Sequence, residues 1–379
     1  MNRTALLVAS LAVIGLSVYL SITVNPTQSA LFLVGAGAGI VLYHASFGFT
    51  SSWRALIAEG RGAGVRAQML MLSVTSLVFF PILASGEWFG HPVRGSVSPV
   101  GLSVVAGALI FGVGMQLGGG CASGTLYAAG GGSVRMLVTL AAFIAGSVVG
   151  VLHQPLWAGV PAFQPVSLVA TFGAVPALGI SLPLFGAIAL ATRSIERRRH
   201  GSIESSRHGG SWLRGPWPLV AGALGLALVN VATLALAGRP WGVTSAFALW
   251  GSKFAAAFGA DVASWPYWQG AARTAELNGS VFRDVTSVMN FGIMLGALAA
   301  AALAGRLSPV WRVPARSLAA AIIGGLMLGY GARIAYGCNI GAYFSGIASS
   351  CVHGWVWFVA AFGGNMVGTK LRPWFGLRV

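Results

Sequence analysis

GVGMQLGGGCASG at residues 112–124 and GYGARIAYGCNIG at residues 329–341 carry one pattern, G-x-G-x5-G-C-x-x-G, at a constant separation of 217. Ser133 and Ser350 keep the same separation. A weaker pair, FGFTSS at 47–52 and WGVTSA at 241–246, recurs 194 residues on. Repetition of this kind reads as two halves of one fold, each with two Gly-rich interruptions.

The surroundings of these stretches decide the class. Uncharged runs long enough to span ~30 Å of hydrocarbon at ~1.5 Å per residue flank them on both sides. The runs fall at 5–24, 30–45, 69–85, 100–116, 136–152, a Pro-interrupted 166–191, then 219–237, 285–304, 317–331 and 353–368. The first is longer than a secretory h-region, and TQSA at 27–30 makes a poor cleavage site, so it reads as a span. Composition agrees: of 379 residues 56% are hydrophobic, 8% are charged and 55 are Gly, against ~25% charged and ~7% Gly in an average chain. The expectation is an all-α polytopic membrane protein of about ten spans. Three cysteines are too few for a disulfide framework.

With the N-terminus in the cytoplasm, 17 of the 23 Lys and Arg fall inside and six outside: Arg94, Arg239, Lys253, Arg273, Arg283 and Arg333. The positive-inside rule therefore places both termini in the cytoplasm. The net charge of +16 is largely an orientation signal, and no nucleic-acid partner is expected. The halves are assigned as 1–165 and 166–379, the second containing a basic cytoplasmic loop at 193–215. Five spans per half is an odd number, so the second half sits upside down relative to the first. In inverted-repeat proteins, broken or re-entrant segments of the two halves meet centrally and form the site, since irregular backbone survives at membrane depth only where protein or water surrounds it.

The loops offer a particular chemistry. Glycines let backbone N–H groups approach a ligand closely, the start of a short helix favours anions, and a thiol is a soft, weak donor. Such a site suits a sulfur oxyanion bearing a terminal sulfur better than phosphate, for which Lys or bidentate Arg is expected. Candidate binding residues are Gly120, Cys121 and Gly124 in the first loop and Gly337, Cys338, Asn339 and Gly341 in the second. Arg333 stands at the second loop's entrance as an attractor of anions, with interfacial snorkelling as its alternative. Arg135 and Lys253 are weaker candidates, and His44 and His353 read as packed or interfacial. Cys351 has no repeat partner and reads as filler. All seven acidic residues lie outside the ten runs, which disfavours a cation channel or carboxylate-driven pump. Zinc-ligand spacings do not occur, and no cofactor or metal is expected.

The stretches GGGCASGTLYAAGGGS and GYGARIAYGCNIGAYFSGIASSCVHGWVWFVAAFGG closely resemble the YeeE/YedE family of bacterial inner-membrane sulfur transport proteins. The resemblance covers most of the chain. It implies thiosulfate uptake through an inverted-repeat bundle whose short loops point to the centre, with thiosulfate passed by successive thiol contacts, here Cys121 and Cys338. It also implies the bacterial inner membrane and, as a partner, a small sulfur-carrier or sulfurtransferase protein. The chain departs from the pattern in SFGFTSSWR, where Gly48 stands at the position of an earlier loop cysteine. Two other readings remain at this point: a membrane sulfurtransferase-type subunit forming a Cys persulfide, and a selective channel for another small anion or solute.

Overall fold

In the computed structural model, residues 1–204, 210–307 and 311–379 are described. Arg207, counted above in the cytoplasmic loop, lies outside them. The helices of the first half are α1 (Arg3–Thr23), α2 (Pro26–Ala45), α3 (Phe49–Arg54), α4 (Ala63–Ser85), α5 (Leu102–Gly118), α6 (Ala122–Gly130), α7 (Val134–Leu152) and α8 (Gln154–Ala158). They are followed by α9 (Leu168–Phe172), α10 (Ala174–His200), α11 (Leu219–Ala237), α12 (Thr244–Ala257), α13 (Ala271–Asn278), α14 (Val285–Ala304), α15 (Ala315–Ile334), α16 (Ser345–Ala348) and α17 (Val352–Leu371). The only strands among the described residues are two-residue pieces in two antiparallel pairs, Glu87–Trp88 with His91–Pro92 and Val100–Gly101 with Ala162–Phe163. The protein is thus an all-α polytopic membrane protein. Nine of the ten expected runs each coincide with one helix and the tenth, 166–191, with two, and nine helical stretches among the described residues are long and apolar enough to cross a membrane.

Local chemistry sets the helix ends. Asn25 accepts from the Gln28 N–H ahead of Pro26, and Asp284 accepts from the N–H groups of Thr286 and Ser287, which satisfies donors that a helix start leaves orphaned. One boundary departs from the expectation. The run at 166–191 is broken at Gly173 into α9 and α10, and α10 continues to His200 through residues expected to be loop. The continuation is fixed by Glu196, fully buried and paired with Arg66 at 2.7 Å and Arg61 at 3.3 Å. The Ala/Arg/Glu composition of 191–199 favours helix as well.

Small residues let the long helices touch backbone to backbone, the packing mode favoured where water provides no driving force. At the α5–α15 crossing a Cβ added to Gly114 would lie 2.8 Å from the Gly324 carbonyl, and one added to Gly331 would lie 2.5 Å from the Gly107 carbonyl. These two contacts map onto each other at the separation of 217. The pairing of helices repeats the pattern: α7–α15 answers α5–α17, α2–α14 answers α4–α11, and α1–α14 answers α4–α10.

Beyond the second Gly-Cys stretch the separation changes. Ser133 caps α7 and Cys351 caps α17, and Gly112 and Gly329 press on the carbonyls of Ala361 and Phe143, pairs that stand 218 apart. The cause is a π-helical turn at Asn339–Phe344 where the first half has regular α6. A π turn accommodates one extra residue. Cys351 therefore has a counterpart after all, Ser133 rather than Ser350. Gly331→Leu is expected to overpack the α5–α15 crossing and cost about 1–3 kcal/mol or more, read as a lower melting temperature and loss of the monodisperse peak in detergent.

Candidate functional site

The two Gly-Cys turns are built alike. Helix α5 ends at Gly118 and α15 at Ile334, after which the chain reverses and Cys121 and Cys338 each stand just ahead of a new helical turn. Gly337 holds φ of 149°, a region reserved for glycine. A Cβ at Gly120 would lie 3.1 Å from the Thr125 nitrogen, and one at Gly337 would lie 2.9 Å from that of Ala342. Thr125 N–H donates to the Cys121 carbonyl and Ala342 N–H to the Cys338 carbonyl, both at 2.8 Å. Helix α6 packs on the π turn that follows Cys338, so the two loops touch. Both thiols are buried in one core cluster, and Cys121 Sγ lies 3.5 Å from Ser123 Oγ. Asn339 is 0% exposed, and neither polar atom of its side chain has a hydrogen-bond partner.

The carbonyls released where α5 and α15 end are taken up by cations or a histidine from the next long helix. Arg135 donates to the carbonyls of Gly118 and Leu117, each at 2.6 Å, and to Ser317 Oγ at 2.9 Å. His353 Nε2 lies 3.0 Å from the Ala335 carbonyl. Positive charge at a helix C-terminus is favourable, so Arg135 closes a helix end, and His353 is a packed residue in the same position of the other half. Arg372 donates to the Gln116 carbonyl at 2.6 Å. Burial, with Arg54 and Arg135 nearby, brings its guanidinium down to about 10. Lys253 is also engaged, donating to the Leu277 carbonyl.

Beside the second loop lies a cavity of about 540 Å³. Its lining includes Arg94, Arg239, Arg273 and Arg333, four of the six cations that topology counting leaves outside, and no acidic residue. Ser96, Ser98, Trp241, Thr244, Tyr267, Gly337 and Gly341 form part of its wall. The Tyr267 hydroxyl accepts from Arg273 at 2.8 Å and from Arg333 at 3.1 Å, and Arg333 also donates to Thr244 Oγ1 at 3.1 Å. Arg273 lies over the Tyr267 ring at 4.4 Å. Two carboxylates hold the arginines from outside the lining, Asp284 at 3.9 Å from Arg239 and Glu276 at 3.5 Å from Arg273. Burial raises the Glu276 carboxyl above its ordinary range while Arg273 pulls it down. The cavity is large enough for a small anion with part of its hydration shell, given ~30 Å³ per liquid water.

Of the residues expected from sequence, Arg333, Gly337 and Gly341 line this cavity, and Cys338 and Asn339 sit between them in the chain, buried. Gly120, Cys121 and Gly124 belong to the other loop, which meets the first without lining the cavity. Arg94, Arg239, Arg273, Trp241 and Tyr267 were missed. Trp241 could have been noticed, since it opens the weaker repeat at 241–246 with Arg239 two residues before it; Arg94 and Arg273 come from distant connections, with no spacing to relate them. Cys351 is more than filler. Its Sγ lies 3.5 Å from the Ser98 nitrogen and 3.7 Å from the Ser98 carbonyl, tying the connection that carries Arg94, Ser96 and Ser98 to the start of α17. All three cysteines are free. Gly48 caps α3, and its carbonyl accepts from Ser51 Oγ at 3.1 Å; that hydroxyl occupies the space where a side chain at Gly48 would begin.

Fold and site together define a multi-pass membrane protein with an arginine-lined cavity beside the second of two similar Gly-Cys turns. The sequence model of the family described as Sulphur transport matches residues 44–367, and the chain belongs to that family. A protein of Escherichia coli (strain K12) named "Probable transporter YedE" is 30% identical over 170 residues, 44% of this chain and 39% of that protein. The chain thus matches about two-fifths of the length of that relative. Two proteins named "Thiosulfate transporter TsuA" match more extensively. That of Spirochaeta thermophila is 27% identical over 86% of this chain and 92% of its own length, and that of Escherichia coli (strain K12) is 24% identical over 86% and 89%.

Exposure of the cavity and burial of the thiols give a labelling prediction. A membrane-impermeant thiol reagent is expected to modify Ser96→Cys rapidly from the side bearing Arg94 and to leave the native cysteines near background. Rapid labelling of the unmodified protein would contradict this arrangement.

Proposed function

We propose that this protein takes up thiosulfate, or a closely related sulfur-containing anion, across a bacterial inner membrane without covalent chemistry. The observation that carries the proposal is the convergence of Arg94, Arg239, Arg273 and Arg333 on one cavity whose wall includes Gly337 and Gly341, the glycines on either side of Cys338. In this reading the cavity opens outward, the termini are cytoplasmic, and the two five-span halves, 1–165 and 166–379, are inverted. The answering helix pairs support the last point. The printed names of the TsuA relatives support thiosulfate as substrate.

Four cations without a lining carboxylate raise the local concentration of a dianion. Backbone N–H groups of the 337–341 turn, the Asn339 amide and the Cys338 thiol then hold it, and the contacting 120–124 turn with Cys121 receives it. Asn339 suits this role because it is buried with both polar atoms free, and such groups ordinarily find partners. Thiol contacts fit the soft terminal sulfur, and the donors fit the oxygens. Arg54, Arg135 and Arg372 provide positive charge at the far end, from which a small sulfur-carrier or sulfurtransferase protein would collect the product. A persulfide-forming enzyme requires a cation or helix terminus that stabilises the thiolate. Arg333, the cation nearest Cys338 in sequence, is occupied by Tyr267 and Thr244, which leaves only the start of the following helical turn to stabilise a thiolate and favours transport over sulfur transfer.

Uptake of labelled thiosulfate into proteoliposomes tests the reading. Cys121→Ala and Cys338→Ala are each expected to lower uptake at least tenfold. Arg333→Gln is expected to raise KM roughly five- to tenfold by loss of a charged donor, with the penalty shrinking as salt screens the field. Undiminished uptake in both cysteine variants would sink the thiol path. Sulfur recovered covalently on Cys338, with sulfite released, would replace transport by the persulfide reading.

A further inference from the structure

Five tryptophans in the described structure show how an indole N–H is usually satisfied here. Trp53 donates to Gln68 Oε1 at 2.9 Å, Trp157 to the Tyr330 hydroxyl at 3.0 Å, Trp217 to the Trp212 carbonyl at 2.8 Å, Trp250 to Ser287 Oγ at 2.8 Å, and Trp268 to Ser252 Oγ at 2.9 Å. Trp241 breaks the rule. It is 1% exposed, it lines the arginine cavity, and its Nε1 has no hydrogen-bond partner.

Its placement is not loose. The Trp241 N–H donates to Asn230 Oδ1 at 2.8 Å, and its carbonyl accepts from Ser345 Oγ at 2.7 Å. Both backbone groups are therefore clamped between α11 and α16, and Asn230 and Ser345 are themselves fully buried. A buried donor without an acceptor costs free energy that a well-packed site avoids, and each such group calls for an explanation. A second donor on the same cavity is in the same condition. Arg333 uses its terminal nitrogens on Tyr267 and Thr244 and leaves Nε buried without a partner. Two fixed, unsatisfied donors on one cationic cavity await an acceptor-rich guest.

The repeat sharpens the point. The residue that stands 194 before Trp241 is Phe47, equally buried and with no N–H to give. The outward loop thus carries a donor where its partner loop carries a hydrocarbon ring. Resting on the transport reading above, we infer that the Trp241 indole N–H is a specificity-determining donor that holds an oxygen of the bound oxyanion at the floor of the cavity, beside Arg333. The terminal sulfur then faces the Cys338 turn. Guests bearing oxygen atoms are selected over soft anions that lack them.

The test uses full-length protein in proteoliposomes and in detergent. Trp241→Phe removes the N–H and keeps the ring, and is expected to raise KM for thiosulfate roughly tenfold while the maximal rate stays within about twofold. Sulfate and selenate are expected to lose potency as competitors in parallel, and thiocyanate, which has no oxygen, to keep its own. Trp357→Phe is the comparison, because the Trp357 Nε1 is also unpartnered but packs against Phe111 away from the cavity; its KM is expected to be unchanged. Trp241→Leu replaces the phenylalanine variant if the latter does not elute as a single species. A folded Trp241 variant with wild-type KM, or an equal rise in Trp357→Phe, overturns the inference. If wild-type protein takes up no thiosulfate, the transport reading fails by itself. Equilibrium binding of labelled thiosulfate and sulfate in detergent then decides the role of Trp241: weakened binding in Trp241→Phe supports it and unchanged binding overturns it.

Discussion

A polypeptide that leaves the helical ladder inside a membrane protein must find new partners for every carbonyl and N–H it frees, because no water is at hand to take them. The whole arrangement around Cys121 and Cys338 follows from that demand. Helices α5 and α15 each stop short and the chain turns back, which exposes carbonyls at 117–118 and at 335. Arg135 and His353 meet them from the first turns of α7 and α17. Gly120 and Gly337 permit the turn by letting the backbone pass beside the next N–H groups. Once these conditions are met, two short segments can approach each other in the interior, and a polar cavity can end at one of them.

The architecture was written in the sequence because apolar run length and glycine pattern are local signals. Nine of the ten runs became single helices, and the separation of 217 located two turns with matching backbone contacts. What sequence could not give is what depends on exact chain count or on convergence. The π turn at Asn339–Phe344 adds a residue without altering the motif, so Ser350 took the place that belongs to Cys351. The run at 166–191 hid a break at Gly173 and an extension to His200, the latter settled by a buried contact between Glu196 and arginines more than a hundred residues away. The arginine cavity draws on four separate stretches of the chain, and only folding relates them.

The halves correspond in backbone and diverge in chemistry. At equivalent positions stand Arg333 and Gln116, Trp241 and Phe47, His353 and Arg135. Gln116 bonds to Thr50 and Asn365 within the bundle, whereas Arg333 reaches over the cavity to Tyr267. One scaffold used twice thus presents, around Arg333, a cavity lined by four arginines and, around the equivalent Gln116, a closed network that joins Thr50, Asn365 and Arg54. Duplication supplies the geometry, and substitution supplies the difference between the two ends.

The glycine contacts between α5 and α15 bear on how such a protein can move. Where backbone rests on backbone there is no layer of side chains to shear or re-seat, and the crossing behaves as a riveted joint. Gly107, Gly114, Gly324 and Gly331 place that joint at the middle of the bundle, directly ahead of both turns. Large rocking of one half against the other would have to pull this joint apart. In the transport proposed above, opening would then fall to the short segments that hang from this joint, two flaps on a fixed frame.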